Sequence, residues 1–251
     1  WSAGFNFQPP ALDGLNIDLT YFSVDYENQI QALRGTSGIL TSSLYARYVT
    51  RNPTRAQVDA LLASGLPLNT PINAAQVTFI VDGRRQNLGT TLIRGIDFNL
   101  GYLWETGLGQ FEASVNGTYF TRYETAAAPG APLVDVVGII NFPQRFRARG
   151  SLGWRQEALD ARLYVNFTDS YVQNTVTPAR KVKDYTTLDL HLGYDLGEAT
   201  DTPWLDGVTL ALDVQNLTDA QPPFVNIAGG YDSQSVNPIG RLVAASIRKR
   251  W

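Results

Sequence analysis

The chain has 251 residues, 44% of them hydrophobic, enough for one all-β domain or two smaller ones. Twenty Lys and Arg against 23 Asp and Glu leave a net charge of −3, which gives no support for nucleic-acid binding. Cysteine is absent, so disulfides, thiolate metal sites and cysteine nucleophiles are excluded.

No run of 18 apolar residues exists, so no membrane-spanning helix is expected. A membrane β-barrel stays open, because its strands carry polar residues at every second position. Methionine is absent, position 1 included. The chain opens inside a strand-like stretch, WSAGFNF, and is read as a fragment or processed piece of something longer.

Nine segments alternate apolar and polar residues with period two, the pattern of a strand with two different faces. The first carries Trp1, Ala3, Phe5 and Phe7 on one face, and the second Leu15, Ile17, Leu19 and Tyr21 against Asn16, Asp18 and Thr20. The third sets Ile96, Phe98, Leu100, Tyr102 and Trp104 against Asp97 and Asn99, and the fourth Phe111, Ala113, Val115 and Tyr119 against Glu112, Ser114, Asn116 and Thr118. The fifth opposes Phe146, Ala148, Leu152 and Trp154 to Arg145, Arg147, Arg149 and Ser151, and the sixth Ala161, Leu163, Val165 and Phe167 to Arg162, Asn166 and Thr168. The seventh opposes Leu188, Leu190, Leu192, Tyr194 and Leu196 to Thr187, Asp189, His191 and Asp195. The eighth has Val208, Leu210, Leu212 and Val214 against Thr209, Asp213 and Gln215. The ninth has Val243, Ala245, Ile247 and Trp251 against Arg241, Ser246 and Arg248.

The connections alternate in length. QPPALDG, TGLGQ, QEALD and GEATDTPWLDG are short, whereas the stretches near Gln31 to Arg84, Thr125 to Phe142, Asn174 to Lys183 and Thr218 to Ile239 are long. Short turns at one end and long loops at the other describe an outer-membrane barrel with periplasmic turns and extracellular loops. With Trp251 at the periplasmic side, Phe7, Tyr102, Trp104, Trp154, Tyr194 and Trp251 gather at the lower membrane interface. Tyr21, Tyr119, Tyr123, Phe167 and Tyr171 gather at the upper one, as two aromatic girdles would. Arg145, Arg147 and Arg149 must then face the lumen, or lie above the hydrocarbon, because a one-residue slip would turn all three to lipid. In the longest connection Thr54 and Gln57 read as a capping box, with Val58, Leu61 and Leu62 as a short apolar helix face that Gly65 and Pro67 end.

Four stretches resemble the C-terminal barrel half of TonB-dependent outer-membrane receptors. They are NLGTTLIRGIDFNLGY (Asn87 to Tyr102), KDYTTLDLHLGY (Lys183 to Tyr194), LDVQNLTDAQPPF (Leu212 to Phe224) and GRLVAASIRKRW (Gly240 to Trp251). RNPTRAQVDALLASG also resembles an extracellular loop insert common in that family. The expected fold is all-β: about nine meander strands of an antiparallel transmembrane β-barrel over residues 1–251. A long extracellular loop is expected at 31–83, with a short helix near 54–63. The resemblance implies a complete barrel of about 22 strands with a plugged lumen. It also implies energy from the TonB complex, received through an N-terminal segment. The plug, that segment and the remaining strands are expected outside this chain.

The implied function is active uptake of a scarce, large nutrient: an iron–siderophore complex, a cobalamin or an oligosaccharide. Lumen polar groups Asp97, Arg147, Arg149, Asp189, His191 and Asp213 would contact the plug or line the path. On the loops Tyr45, Arg47, Tyr48, Arg84, Arg85, Arg122, Tyr123, Tyr171 and Tyr231 combine cation and ring, which suits anionic, planar ferric chelates. Outer-membrane lipid is the expected partner of the apolar face, and the terminal strand with Trp251 resembles the signal read by the barrel-assembly machinery. A passive porin and a soluble carbohydrate-binding module are the competing readings. An enzyme is not expected, since the only histidine, His191, has no GxSxG-type turn nearby. One histidine and no cysteine give no metal site, and no cofactor is implied.

Overall fold

The computed structural model describes residues 1–33, 38–126, 128–200 and 202–250. Trp251, on which the terminal-aromatic reading rests, lies outside the described residues. Strands in chain order are β1 (Ser2–Phe7), β2 (Leu15–Ala32), β3 (Val49–Arg51), β4 (Phe79–Val81), β5 (Arg85–Thr106), β6 (Gly109–Ala126) and β7 (Val134–Asp135). There follow β8 (Phe146–Gln156), β9 (Leu159–Thr168), β10 (Tyr171–Gln173), β11 (Arg180–Val182), β12 (Tyr185–Asp195), β13 (Val208–Gln215) and β14 (Leu242–Lys249). Two α-helices, α1 (Arg55–Ala63) and α2 (Leu196–Ala199), lie in connections. Among the described residues no helix is long and apolar enough to cross a membrane.

Nine strands form one meander, in the order β1-β2-β5-β6-β8-β9-β12-β13-β14, with the short β7 paired to β6. The nine alternating segments each became one of these strands. Two differences have local causes. Leu196 belongs to α2, not to the seventh strand, because the Asp195 side chain accepts from the backbone N–H groups of Gly197 and Glu198 and caps a helical turn. β2, β5 and β6 run to 18, 22 and 18 residues, about twice the 9–11 that cross a bilayer.

The chain divides into two compact units. One comprises Trp1–Val24, Ile93–Tyr123 and Val136–Trp251, the other Asp25–Leu92 and Glu124–Asp135.

In the first unit the pairing registers keep like with like. On one face Phe111 pairs with Trp154, Leu152 with Leu163, Leu163 with Leu190, and Leu192 with Leu212. On the other, Ser114 pairs with Ser151, Arg149 with Asn166, and His191 with Asp213. Leu152, Val165 and Leu192 keep 50, 39 and 39% of their surface exposed, so this wall turns its apolar side outward. An apolar surface extending across nine strands needs a partner or a lipid solvent. An Arg on it would cost about 2–4 kcal/mol at a bilayer midplane and about 0–1 near the interfaces. The observed register keeps Arg147 and Arg149 off it.

Rings sort to the two ends of the apolar face. Toward the short turns Trp104 stacks on Tyr102 and Phe111 at 5.1 and 5.4 Å, and the Trp154 Nε1–H donates to the Leu108 carbonyl at 2.7 Å. Toward the long loops Phe146 contacts Phe98, Tyr119 and Phe167 at 6.1, 6.5 and 5.8 Å. Gly117 makes room for this cluster, since a Cβ there would lie 2.7 Å from Phe98 Cζ. Phe7 and Tyr194 are exposed on the same face. Tyr171 does not join the upper ring; it is buried with Ile140, Val182 and Val225 under the loops of this unit.

In the second unit β3 and β4 pair antiparallel as a small two-stranded ladder, with α1 in the segment between them. A 3-10 helix over Ser43–Tyr48 puts Tyr45 and Tyr48 three residues apart, hence on one side, where they pack with Leu33, Leu88 and Ala128. Helix α1 has the expected capping box: Gln57 N–H donates to Thr54 Oγ1, and Thr54 N–H to Gln57 Oε1. Of its expected apolar face only Val58 is buried; Leu61 is 43% exposed.

Candidate functional site

The polar face of the first unit carries a chain of paired side chains. Asp97 accepts from the Thr118 hydroxyl at 2.6 Å. Arg149 lies over the Tyr164 ring, 4.2 Å from its centroid. Asp189 accepts from Asn166 Nδ2 at 2.8 Å and from the Asn216 backbone N–H at 2.9 Å. His191 Nδ1 lies 2.7 Å from Asp213 Oδ1, and its Nε2 3.2 Å from Asp160 Oδ1. Arg162 pairs with Glu112 at 2.5 Å. The six expected lumen residues, Asp97, Arg147, Arg149, Asp189, His191 and Asp213, all lie on this face.

Two of the hollows that open on it lie beside His191 and Asp189. One of about 450 Å³ lies where Gly193, Ala211 and Ser246 leave the wall low, and Asp160, His191, Asp213, Arg155, Arg248 and Arg250 rim it. The other, about 300 Å³, is bounded by Arg147, Asn166, Asp189 and the segment Ser235 to Gly240. Asp160, Arg155 and Arg250 were not singled out from sequence. Arg155 precedes the QEALD turn and Asp160 ends it, where alternation gives no face, and their positions follow from the pairing of Arg155 with Asp160 and of Asp160 with Gly193.

Asn216 and Asp219 turn out to be structural. Both hold positive φ, 50° and 53°. Asn216 is buried and exchanges two hydrogen bonds with Ala220, while Asp219 Oδ1 accepts from the Arg241 N–H at 2.9 Å. The Asn-Leu-Thr-Asp stretch thus ends β13 and anchors the start of β14.

The loop candidates divide. In the second unit Tyr45 and Tyr48 are core side chains of the loop, 8 and 9% exposed, so their rings are not offered to solvent. Arg47, beside the Tyr48 ring at 4.9 Å, Arg84 and Arg85 are exposed. Arg84 binds Asp82 at 2.6 Å. That hydrogen bond holds the Asp82 carboxyl down at about 2, against an opposing desolvation. In the first unit Arg122 and Tyr123 lie on β6 and not on a loop, Arg122 exposed and Tyr123 half-buried, and Tyr231 is half-buried. Tyr171 is 4% exposed. Burial, then the neighbouring Asp232 carboxylate, pushes its hydroxyl up to about 12. That hydroxyl has no well-formed hydrogen bond among the described residues. Beside it Gln144 donates to Ser235 and Ser235 to Asp232, at 2.6 and 2.8 Å. Sequence reasoning missed this buried polar knot, because Gln, Ser and Asp in loops carry no pattern that marks them as interior. Among the described residues no group of three His, Cys, Asp or Glu side chains is arranged to hold a metal ion.

A family model described as TonB dependent receptor-like, beta-barrel matches residues 1–217. No curated protein matches the sequence. Among solved structures, a mutant of the ferric enterobactin receptor PfeA from Pseudomonas aeruginosa is similar, with a TM-score of 0.61 at 17% identity. So are the siderophore receptor PirA from Acinetobacter baumannii, at 0.56 and 17%, and the FrpB iron transporter from Neisseria meningitidis, at 0.53 and 12%. Each match covers 98% of this chain and 30% of the other, so the chain spans about three-tenths of the length of these structures. Identities this low speak for the fold alone. The family match, the nine-strand meander and the outward apolar face agree on compartment and architecture. The chain belongs to the TonB-dependent receptor family, as a portion of its outer-membrane β-barrel.

Proposed function

We propose that this chain is the C-terminal part of the barrel of an active outer-membrane importer, and that the cargo is a ferric siderophore. A cobalamin or an oligosaccharide is the next choice. In this reading a plug domain fills the lumen and the TonB complex supplies the energy. The observation that carries the reading is the polar face. Asp97, Arg147, Arg149, Asp189, His191 and Asp213 form a continuous charged wall, which suits a large plugged lumen in a way a narrow closed barrel of nine strands would not. The likeness to structures named as ferric enterobactin and siderophore receptors supports iron as the first choice of cargo.

Exposed cations of the loops and outer strand ends are the ligand contacts in this reading: Arg47, Arg84 and Arg85 at the start of β5 in one unit, and Arg122 with Tyr123 toward the end of β6 and Tyr231 in the other. Tyr45, Tyr48 and Tyr171 hold the loops in shape. A guanidinium contact to an anionic chelate contributes about 1.5–3 kcal/mol, or roughly tenfold or more in affinity. The test is uptake of radiolabelled ferric siderophores by cells producing the full receptor. Replacing Arg47 or Arg122 with Ala is expected to lower uptake about tenfold at limiting ligand. Collapsing the proton-motive force is expected to abolish it. Uptake indifferent to both would overturn the proposal in favour of a passive porin.

A further inference from the structure

Arg94 stands apart from the other arginines of the sheet. It lies on β5 two residues before Ile96, so strand alternation puts it on the same face as Ile96, Phe98 and Leu100, the side turned to lipid. Gly95 lies against the Phe22 ring and the Tyr119 carbonyl, and Tyr119 pairs with Phe146. Arg94 is therefore level with the upper aromatic ring, at the rim of the hydrocarbon and not at its centre. Side-chain hydrogen bonds set Asp97 beside Thr118 and Asn99 beside Asp18, and counting along the antiparallel strands from those pairs sets Arg94 between Ser23 on β2 and Thr121 on β6.

Its guanidinium is half-buried, its Nε is wholly enclosed, and among the described residues it has no hydrogen bond, ion pair or ring contact. Four other arginines have partners on the protein: Arg162 in Glu112, Arg149 in the Tyr164 ring, Arg84 in Asp82, and Arg55 in Asp59. A fixed cation facing lipid with no protein anion must find its counter-charge in the membrane. At this depth the anion available is a phosphate on a lipid headgroup, and the planar fork of a guanidinium matches two phosphate oxygens at once.

We propose that Arg94 is a binding point for the phosphate of an outer-leaflet lipid headgroup, held against the barrel wall between the Ser23 and Thr121 positions. The site lies outside the lumen and the loops, so it does not depend on the cargo.

The experiment is native mass spectrometry of the full receptor in detergent micelles, titrated with diphosphoryl lipid A. Phosphatidylethanolamine, a dephosphorylated lipid A and inorganic phosphate serve as comparison probes. Wild type is expected to retain diphosphoryl lipid A about tenfold more tightly than Arg94→Gln, with Arg94→Lys between them. It is also expected to discriminate against the dephosphorylated form and to keep its lipid in millimolar inorganic phosphate. Heat-modifiable migration identifies folded variants, and the dephosphorylated probe tests the site on unaltered protein. Equal retention by Arg94→Gln, no preference for the phosphorylated lipid, or displacement by inorganic phosphate would each overturn the proposal.

Discussion

His191 and Asp82 illustrate two kinds of charge placement. His191 sits mid-strand with a carboxylate on either side, Asp213 and Asp160, each donated by a neighbouring strand. It links three strands. Asp82, by contrast, is held by a residue two places away in the same loop. Because the Arg84 hydrogen bond lowers its value to about 2 from 3.8, the pair's contribution is fully present above about pH 4. It is lost as the pH falls through about 2. The contribution is small, since the pair is solvent-screened. Carboxyl-detected NMR titration is expected to show Asp82 still ionised at pH 3, and Arg84→Ala to return it to the ordinary range. An ordinary titration in the wild type would count against the contact. At this scale the sequence was only partly readable. Residue type marked Tyr45, Tyr48 and Tyr171 as ligand candidates, but loop packing, decided by contacts far apart in the chain, turned their rings inward.

Strands were more legible than side chains in loops. In β8, β9 and β12 the two faces meet different solvents, so the sequence must alternate, and the register must match or charges enter lipid. Beyond the apolar band that constraint lapses. Asp25 to Ala32 alternates in the opposite phase to Leu15–Tyr21 and is broken at Asn28, which holds a positive φ of 57°, and Arg85 to Leu92 shows no clean alternation, which is why the full length of β2 and β5 could not be read. The same asymmetry between faces predicts asymmetric tolerance. Leu163 pairs with Leu152 and Leu190 in mid-wall, so Leu163→Arg is expected to destabilise the refolded receptor by about 2–4 kcal/mol. Ser151→Arg, on the polar face beside Ser114 and Tyr164, is expected to stay within about 0.5 kcal/mol. Urea unfolding midpoints in lipid vesicles compare the two, and equal effects would contradict the assignment of faces.

At the scale of the whole molecule the hydrophobic effect is inverted: the apolar side chains of the meander are outside, and the charged ones lie on the opposite face. The outer-membrane compartment rests on that inversion, and so do the proposed plugged lumen and the proposed lipid site at Arg94. Because the chain has no cysteine, single-cysteine variants of this portion carry one label each. The decisive measurement is a spin-label accessibility scan of β9 from Ala161 to Phe167 in the full receptor in membranes. The account predicts period-two alternation, with labels replacing Ala161, Leu163, Val165 and Phe167 quenched by oxygen dissolved in lipid. Labels replacing Arg162, Tyr164 and Asn166 should be shielded from it. Uniform access to a water-soluble quencher along the strand would contradict the account.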